Sequence, residues 1–211
     1  MSPAYETSSS GGGSGSSTPT GLQITGITNS TQGTRQQTWS WGCSSASACT
    51  YRYVINQIAT STPTGSYAST TTASQASGNG TYYLHIQAMD SGGTESSVFH
   101  YSTLMDNTPP TVTGLSNDAN PVQPKTWMWG CSESSCTYRF VIDQNATTTF
   151  GSENYTTTSS ATKSGAAGTY YLHVQAKDAA GNESTVVHVS AVLGASYSLT
   201  DRKSTRLNSS H

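Results

Sequence analysis

Gly80-Thr-Tyr-Tyr-Leu-His-Ile-Gln-Ala88 decides the fold. Tyr82, Leu84, Ile86 and Ala88 share one parity, and Tyr83, His85 and Gln87 the other. Apolar residues two apart mark a strand whose alternate side chains face a core. The run returns as Gly168-Thr-Tyr-Tyr-Leu-His-Val-Gln-Ala176, 88 residues later (169 − 81). Upstream, Trp39-Ser-Trp41-Gly-Cys43 returns as Trp127-Met-Trp129-Gly-Cys131 at the same offset (127 − 39 = 88). Between them, Cys49-Thr-Tyr-Arg-Tyr-Val-Ile55 returns as Cys136-Thr-Tyr-Arg-Phe-Val-Ile142 at 87 (138 − 51), so the second Cys-to-Cys loop is one residue shorter. Trp39, Trp41 and Cys43 share a parity, as do Cys49, Tyr51, Tyr53 and Ile55, which predicts two more core-facing strands. No window of helical period is comparably clean. The chain therefore reads as all-β, in two copies of one unit. A unit this small must draw much of its core from large aromatic side chains, and the repeated Trp and Tyr positions meet that need.

The rest of the chain frames these copies. Residues 1–19 are dominated by Ser, Gly and Thr and cannot bury enough apolar surface to offset their ordering entropy, so a disordered tether is expected there. The first repeat is placed at 20–107 and the second at 108–196, joined at Asp106-Asn107-Thr108-Pro109-Pro110. Two prolines stop either flanking strand from running through that join. Residues 197–211 are expected to be a disordered tail. Its last part, 201–211, resembles the translation of a sequencing-adapter read and is set aside from fold reasoning. The chain is accordingly expected to be part of a longer protein. Without that segment, three basic residues and one acidic one are lost, and the net charge moves from −2 to −4.

Composition narrows the function classes. Charged residues make up 9% of the 211-residue chain, and Ser and Thr together fill about a third of it. No Lys/Arg cluster precedes residue 201, which argues against a nucleic-acid partner. Heptads are absent, and no apolar run approaches the roughly 20 residues of a membrane span.

Each repeat resembles a fibronectin type III or bacterial immunoglobulin-like domain. The residues that carry the resemblance are a Trp in the second strand (Trp41, Trp129), a Tyr in the third (Tyr51, Tyr138) and the sixth-strand pattern. That pattern ends in Asp90-x-Gly92-Gly-x-Glu-Ser96 and in Asp178-Ala-Ala-Gly-Asn-Glu-Ser184, the latter similar to repeat arrays on bacterial surface proteins. The resemblance covers residues 20–195 or so and implies two tandem antiparallel β-sandwiches. The departure from it is a Cys pair between the second and third strands.

Cys43 with Cys49 and Cys131 with Cys136 stand at matching places, on core-facing parity at the two ends of one loop. In the implied sandwich a bond across each loop staples one sheet to the other, and such short loops bring Cα atoms within bonding reach. Free thiols or a metal site are the competing readings, but metal needs two further ligands per copy and no Cys or His is suitably spaced. Disulfides imply an extracellular or cell-surface address, or the periplasm.

Asp178-Ala-Ala-Gly181-Asn182 is first of all a turn, with Asp capping backbone amides and Gly or Asn taking positive φ. The functional reading is calcium, the one cofactor expected. The resemblance brings the join, with Asp106 and Asn107, beside Asp178, Asn182 and Glu133, a set of hard oxygen ligands. The first copy, with Asp90 and no acidic partner, is expected to bind worse. Tyr83, His85, Tyr171 and His173 fall on outward parity and are candidates for a ligand surface such as a sugar-stacking strip; cross-strand packing is the plainer reading. His100 and His188 are expected to face solvent. No catalytic constellation is found, because a His near some Ser is unavoidable in so Ser-rich a chain.

The expectation is a non-enzymatic extracellular repeat module that spaces or presents other regions of a longer bacterial surface or secreted protein, or adheres. Its partners would be neighbouring repeats of the same chain and a surface polysaccharide or protein ligand. Alternatives are a carbohydrate-binding module, an accessory module of a secreted enzyme, and calcium-dependent adhesion.

Overall fold

The computed structural model describes residues 21–195; the tether expected over 1–19 and the tail expected over 197–211 lie outside them. Among the described residues every element is a strand. In the first copy these are β1 (Ile24–Thr25), β2 (Ser30–Thr34), β3 (Gln37–Ser40), β4 (Gly42–Cys43), β5 (Cys49–Asn56), β6 (Thr72–Gln75), β7 (Gly80–Asp90) and β8 (Phe99–Met105). The second copy repeats the series: β9 (Val112–Thr113), β10 (Asp118–Val122), β11 (Lys125–Met128), β12 (Gly130–Cys131), β13 (Cys136–Asp143), β14 (Ser160–Lys163), β15 (Gly168–Asp178) and β16 (Val187–Leu193).

The strand order is the same in both. A four-stranded sheet runs β2-β8-β7-β5, while β3 pairs with β6 and β1 with β4. The second copy has β10-β16-β15-β13, β11 with β14, and β12 with β9. β5 thus lies beside β7 in one sheet with β8 beyond it, while β3, before them in the chain, pairs with β6 outside that sheet. This splitting of consecutive strands is immunoglobulin-like Greek-key order. The run expected as one strand over Trp39–Cys43 is broken at Trp41, whose amide N–H donates to the Thr71 carbonyl at 2.9 Å.

The period-two reading of β7 holds. Leu84, Ile86 and Ala88 have no exposed surface and pack with Trp39, Trp41, Tyr51 and Ala73. Leu172, Val174 and Ala176 do the same with Trp127, Trp129 and Tyr138. Tyr53, on core parity, is instead 39% exposed, with its ring 5.3 Å from that of Trp41.

By compactness the chain divides differently from the repeat. One unit comprises residues up to Thr28 with Trp39–Ala73 and Tyr83–Tyr101; the other takes Asn29–Thr38, Ser74–Tyr82 and Ser102 onward. Each hydrophobic core lies wholly within one unit. The second unit gathers its extra segments by hydrogen bonds to the join: Asp106 N–H to Thr34 O at 2.9 Å, Gly78 N–H to Asn107 Oδ1 at 2.7 Å, and Asn107 Nδ2 to Arg35 O at 3.1 Å.

Candidate functional site

The Cys pairs are disulfides. Cys43 bonds Cys49 across a Cα separation of 6.4 Å, and Cys131 bonds Cys136 across 6.5 Å. Each joins the end of β4 or β12 to the start of β5 or β13, beside its hydrophobic core. Rings of this size restrict the unfolded chain enough to stabilise each copy by about 2–3 kcal/mol.

The loop after β15 forms the expected turn. Gly181 takes φ +93°, and its N–H donates to the Asp178 carbonyl at 3.3 Å. The Asp178 carboxylate accepts the Asn182 backbone N–H and the Asn182 Nδ2, each at 2.8 Å. In the first copy Asp90 Oδ1 accepts from the Gly92 and Thr94 amides at 2.9 Å each.

Asp178 also converges with two other acids. One carboxylate oxygen from each of Asp106, Glu133 and Asp178 lies within 4.8 Å of the others, all inside the second unit. Burial pushes the Glu133 carboxyl above its usual range, and the charges of Asp178 and Asp106 push it further. The other expected ligands are placed differently. Asn182 acts as a clamp, donating Nδ2 to the Asp106 carbonyl at 3.0 Å as well as to Asp178. Asn107 spends its carboxamide on Gly78 and Arg35. Among the described residues this is the single group of its kind, and the first copy has none.

The outward face of the four-stranded sheet departs most from expectation. His85 and His173 have the predicted parity but no exposed surface, so they form no ligand surface. Tyr83 and Tyr171 are half-buried, and their rings stack on those histidines with centroids 6.0 and 6.4 Å apart. Neighbouring side chains cover the imidazoles. His85 Nδ1 lies 2.6 Å from His100 Nδ1, and its Nε2 lies 3.2 Å from Asn56 Oδ1. His173 Nδ1 lies 2.5 Å from His188 Nδ1, and its Nε2 lies 3.2 Å from Asp143 Oδ1. His100 and His188 are exposed, as expected.

A second network on this face was hidden in the sequence. Arg52 donates Nε and Nη2 to Gln87 Oε1 at 3.0 and 2.7 Å, and Arg139 does the same to Gln175 at 2.9 and 2.7 Å. Gln87 Nε2 donates to the Ser96 carbonyl and Gln175 Nε2 to the Ser184 carbonyl, both at 2.7 Å. The Ser96 and Ser184 hydroxyl oxygens accept the Ala88 and Ala176 amides at 2.9 Å. The repeated Gln-Ala and Glu-Ser motifs thereby tie the end of the sixth strand to the turn that follows it. Their equal spacing in the two copies was the available signal.

No protein-family profile matches the chain, and no curated protein does. The fold is similar to several solved structures. Fibronectin(III)-like modules of Clostridium thermocellum CbhA align at 19% identity and a TM-score of 0.38, over 82% of this chain and 93% of theirs. The D00-D0 domain of Intimin aligns at 15% and 0.38, over 82% and 100%. The FN1-FN3 domains of chicken CNTN1 align at 14% and 0.37, over 76% and 61%. The immunoglobulin-like class rests on the strand order above, not on these likenesses. Among the described residues, no helix is long and apolar enough to cross a membrane.

Proposed function

We propose that the chain is two tandem β-sandwich repeats, at 20–107 and 108–196, belonging to an extracellular or cell-surface protein. Their role is to space or present other regions of that protein, or to adhere, without catalysis. The observation that carries this reading is the duplication itself: the same strand order, Trp/Tyr core and disulfide occur twice. Disulfides persist in oxidising compartments, which supports the extracellular address. A catalytic site needs a reactive group placed where a substrate reaches it. The candidate imidazoles, His85 and His173, are instead buried among side chains that repeat with them.

The reading is tested by pulling the full chain in a force spectrometer and by affinity electrophoresis in soluble polysaccharides. A spacer gives two unfolding events of similar length and unchanged mobility. A single event contradicts the tandem arrangement, and retardation by polysaccharide favours a carbohydrate-binding module.

Calcium at Asp106, Glu133 and Asp178 is a second reading, favoured by the convergence of three carboxylates and the strain on Glu133 ionisation. Calcium takes six to eight oxygens, so carbonyls or water would complete the shell. The ion would fix the join to the loops of the second copy. Calcium is expected to raise the melting temperature of the second copy relative to a chelator control, and Asp178→Asn to abolish the rise. An unchanged melting temperature removes the reading.

A further inference from the structure

The two buried histidines sit in networks of the same layout that differ in the side chain facing Nε2, Asn56 in the first copy and Asp143 in the second. We propose that these networks are proton-binding sites tuned apart by that side chain, so that the Asp143 network takes up a proton at a higher pH than the Asn56 network.

In the first copy the orientation of Asn56 is set by its own partners. Its Oδ1 accepts the Ile58 amide at 2.9 Å, and its Nδ2 donates to Ser61 Oγ at 3.0 Å. His85 Nε2 faces that Oδ1, so the Nε2 carries hydrogen and donates. His85 Nδ1 is then an acceptor, and at 2.6 Å its partner His100 Nδ1 must donate. The remaining nitrogen of the exposed His100 ring is left to receive a proton. The resulting imidazolium would stand against a buried neutral ring with only an amide behind it. Burial holds the His85 imidazole below the usual histidine range, and the His100 charge adds to that effect.

In the second copy the hydroxyl at the position of Ser61 reverses its role. Thr148 Oγ1 donates to Asp143 Oδ2 at 2.5 Å, and the Asn145 amide donates to Asp143 Oδ1 at 2.8 Å. Burial alone would raise the Asp143 carboxyl. The hydrogen bonds from Thr148, Asn145 and His173 overcome it and hold the carboxyl below its usual range. An ionised Asp143 lies 3.2 Å from His173 Nε2, and His173 Nδ1 meets His188 Nδ1 at 2.5 Å. A proton arriving on the exposed His188 ring neutralises this network, whereas in the first copy it creates a net charge.

The other groups on these faces largely cancel between copies. Val54 and Val141 lie opposite the two histidines, and Tyr83 and Tyr171 stack on them. Further along, Arg52 pairs with Glu95 at 3.6 Å and Arg139 with Glu183 at 3.7 Å. The second copy adds Lys177, itself paired with Glu183 at 3.3 Å, where the first has Met89. Lys177 opposes protonation, and Asp118, which stands where the first copy has Ser30, is neutralised by Lys125 at 2.6 Å, so Asp143 is the added acid that meets a buried histidine directly.

The test follows the imidazole nitrogens of the full chain by NMR through a pH titration. Expected is a higher midpoint for the His173–His188 pair than for the His85–His100 pair, by about one pH unit or more, the usual effect of one opposite charge in contact. Asn56→Asp should raise the first midpoint and Asp143→Asn lower the second. Coincident midpoints in the unmodified protein, or midpoints that ignore both substitutions, would overturn the proposal. The unmodified comparison depends on no variant folding.

Discussion

The two copies share the Trp, Tyr and sixth-strand part of their cores and diverge in the last strand and in parts of the outward face, with Tyr101, Thr103 and Met105 replaced by Val189, Ala191 and Leu193. Ile86 becomes Val174, and the Trp pair, the Tyr of the third strand, Leu84 and Ala88 are repeated without change. On the outward face, Arg52 lies over the ring of Tyr67 alone, 4.7 Å from its centroid. Arg139 lies between Phe150 and Tyr155, at 4.9 and 5.0 Å, and Lys177 covers Tyr155 at 4.7 Å. Where the first copy has Ser30 and Gln37, the second has Asp118 and Lys125, paired at 2.6 Å. A close-packed core tolerates few changes of volume, whereas a polar face accepts substitution as long as its buried groups stay paired. The outward-face changes fall where chemistry can vary without disturbing the fold, whereas those in the last strand, such as Thr103 to Ala191, alter the packing of the core itself.

The sharpest test of that contrast is in the core. Trp39→Ala and Trp127→Ala should each destabilise their own copy by about 3–5 kcal/mol in denaturant melts, and by similar amounts. Unequal losses would break the equivalence of the cores. The disulfides come next. Replacing Cys43 and Cys49 by Ser, or Cys131 and Cys136, should cost about 2–3 kcal/mol in either copy. In the native chain no thiol should react with an alkylating agent until reductant is added.

On the outward face the copies should differ. Arg139→Ala should cost more than Arg52→Ala, by about 0.5–1 kcal/mol for the additional aromatic face. Equal costs would show that the longer stack adds nothing. The smallest effect is with pH. Because the His85 imidazole is held below the usual histidine value, the unfolded first copy binds the proton more readily than the folded one. Its stability should be fully present above about pH 6.5 and decline as the pH falls below it, as read by chemical denaturation at several pH values. The Asp143 carboxyl is held below its usual range, so its contribution to the second copy is present above about pH 4 and lost below.

The pattern of legibility follows from which interactions are local. The period-two run at 80–88, its return and the Cys spacing were plain in the sequence, because alternation and short loops fix geometry by themselves. Parity also gave the correct face for His85 and His173. It could not give their burial, which depends on neighbours brought up from other strands: Asn56 and Asp143 at the ends of β5 and β13, and His100 and His188 across the sheet. The change from Asn56 to Asp143 was visible in the aligned copies, yet nothing local linked it to a histidine 29 or 30 residues away. The acidic trio was half legible. Asp106 and Asp178 converge as expected with Glu133, whereas Asn107 and Asn182 went to backbone and carboxylate partners that only the folded turn supplies.

The proposed division into two sandwiches that each fold alone is open to direct test, because the compact units do not break at 107/108. Expressing residues 20–107 and 108–196 separately under oxidising conditions and recording amide correlation spectra tests it most directly. Two dispersed spectra are expected, each overlaying the corresponding peaks of the full chain away from the join. A collapsed, unfolded spectrum from either half would contradict it.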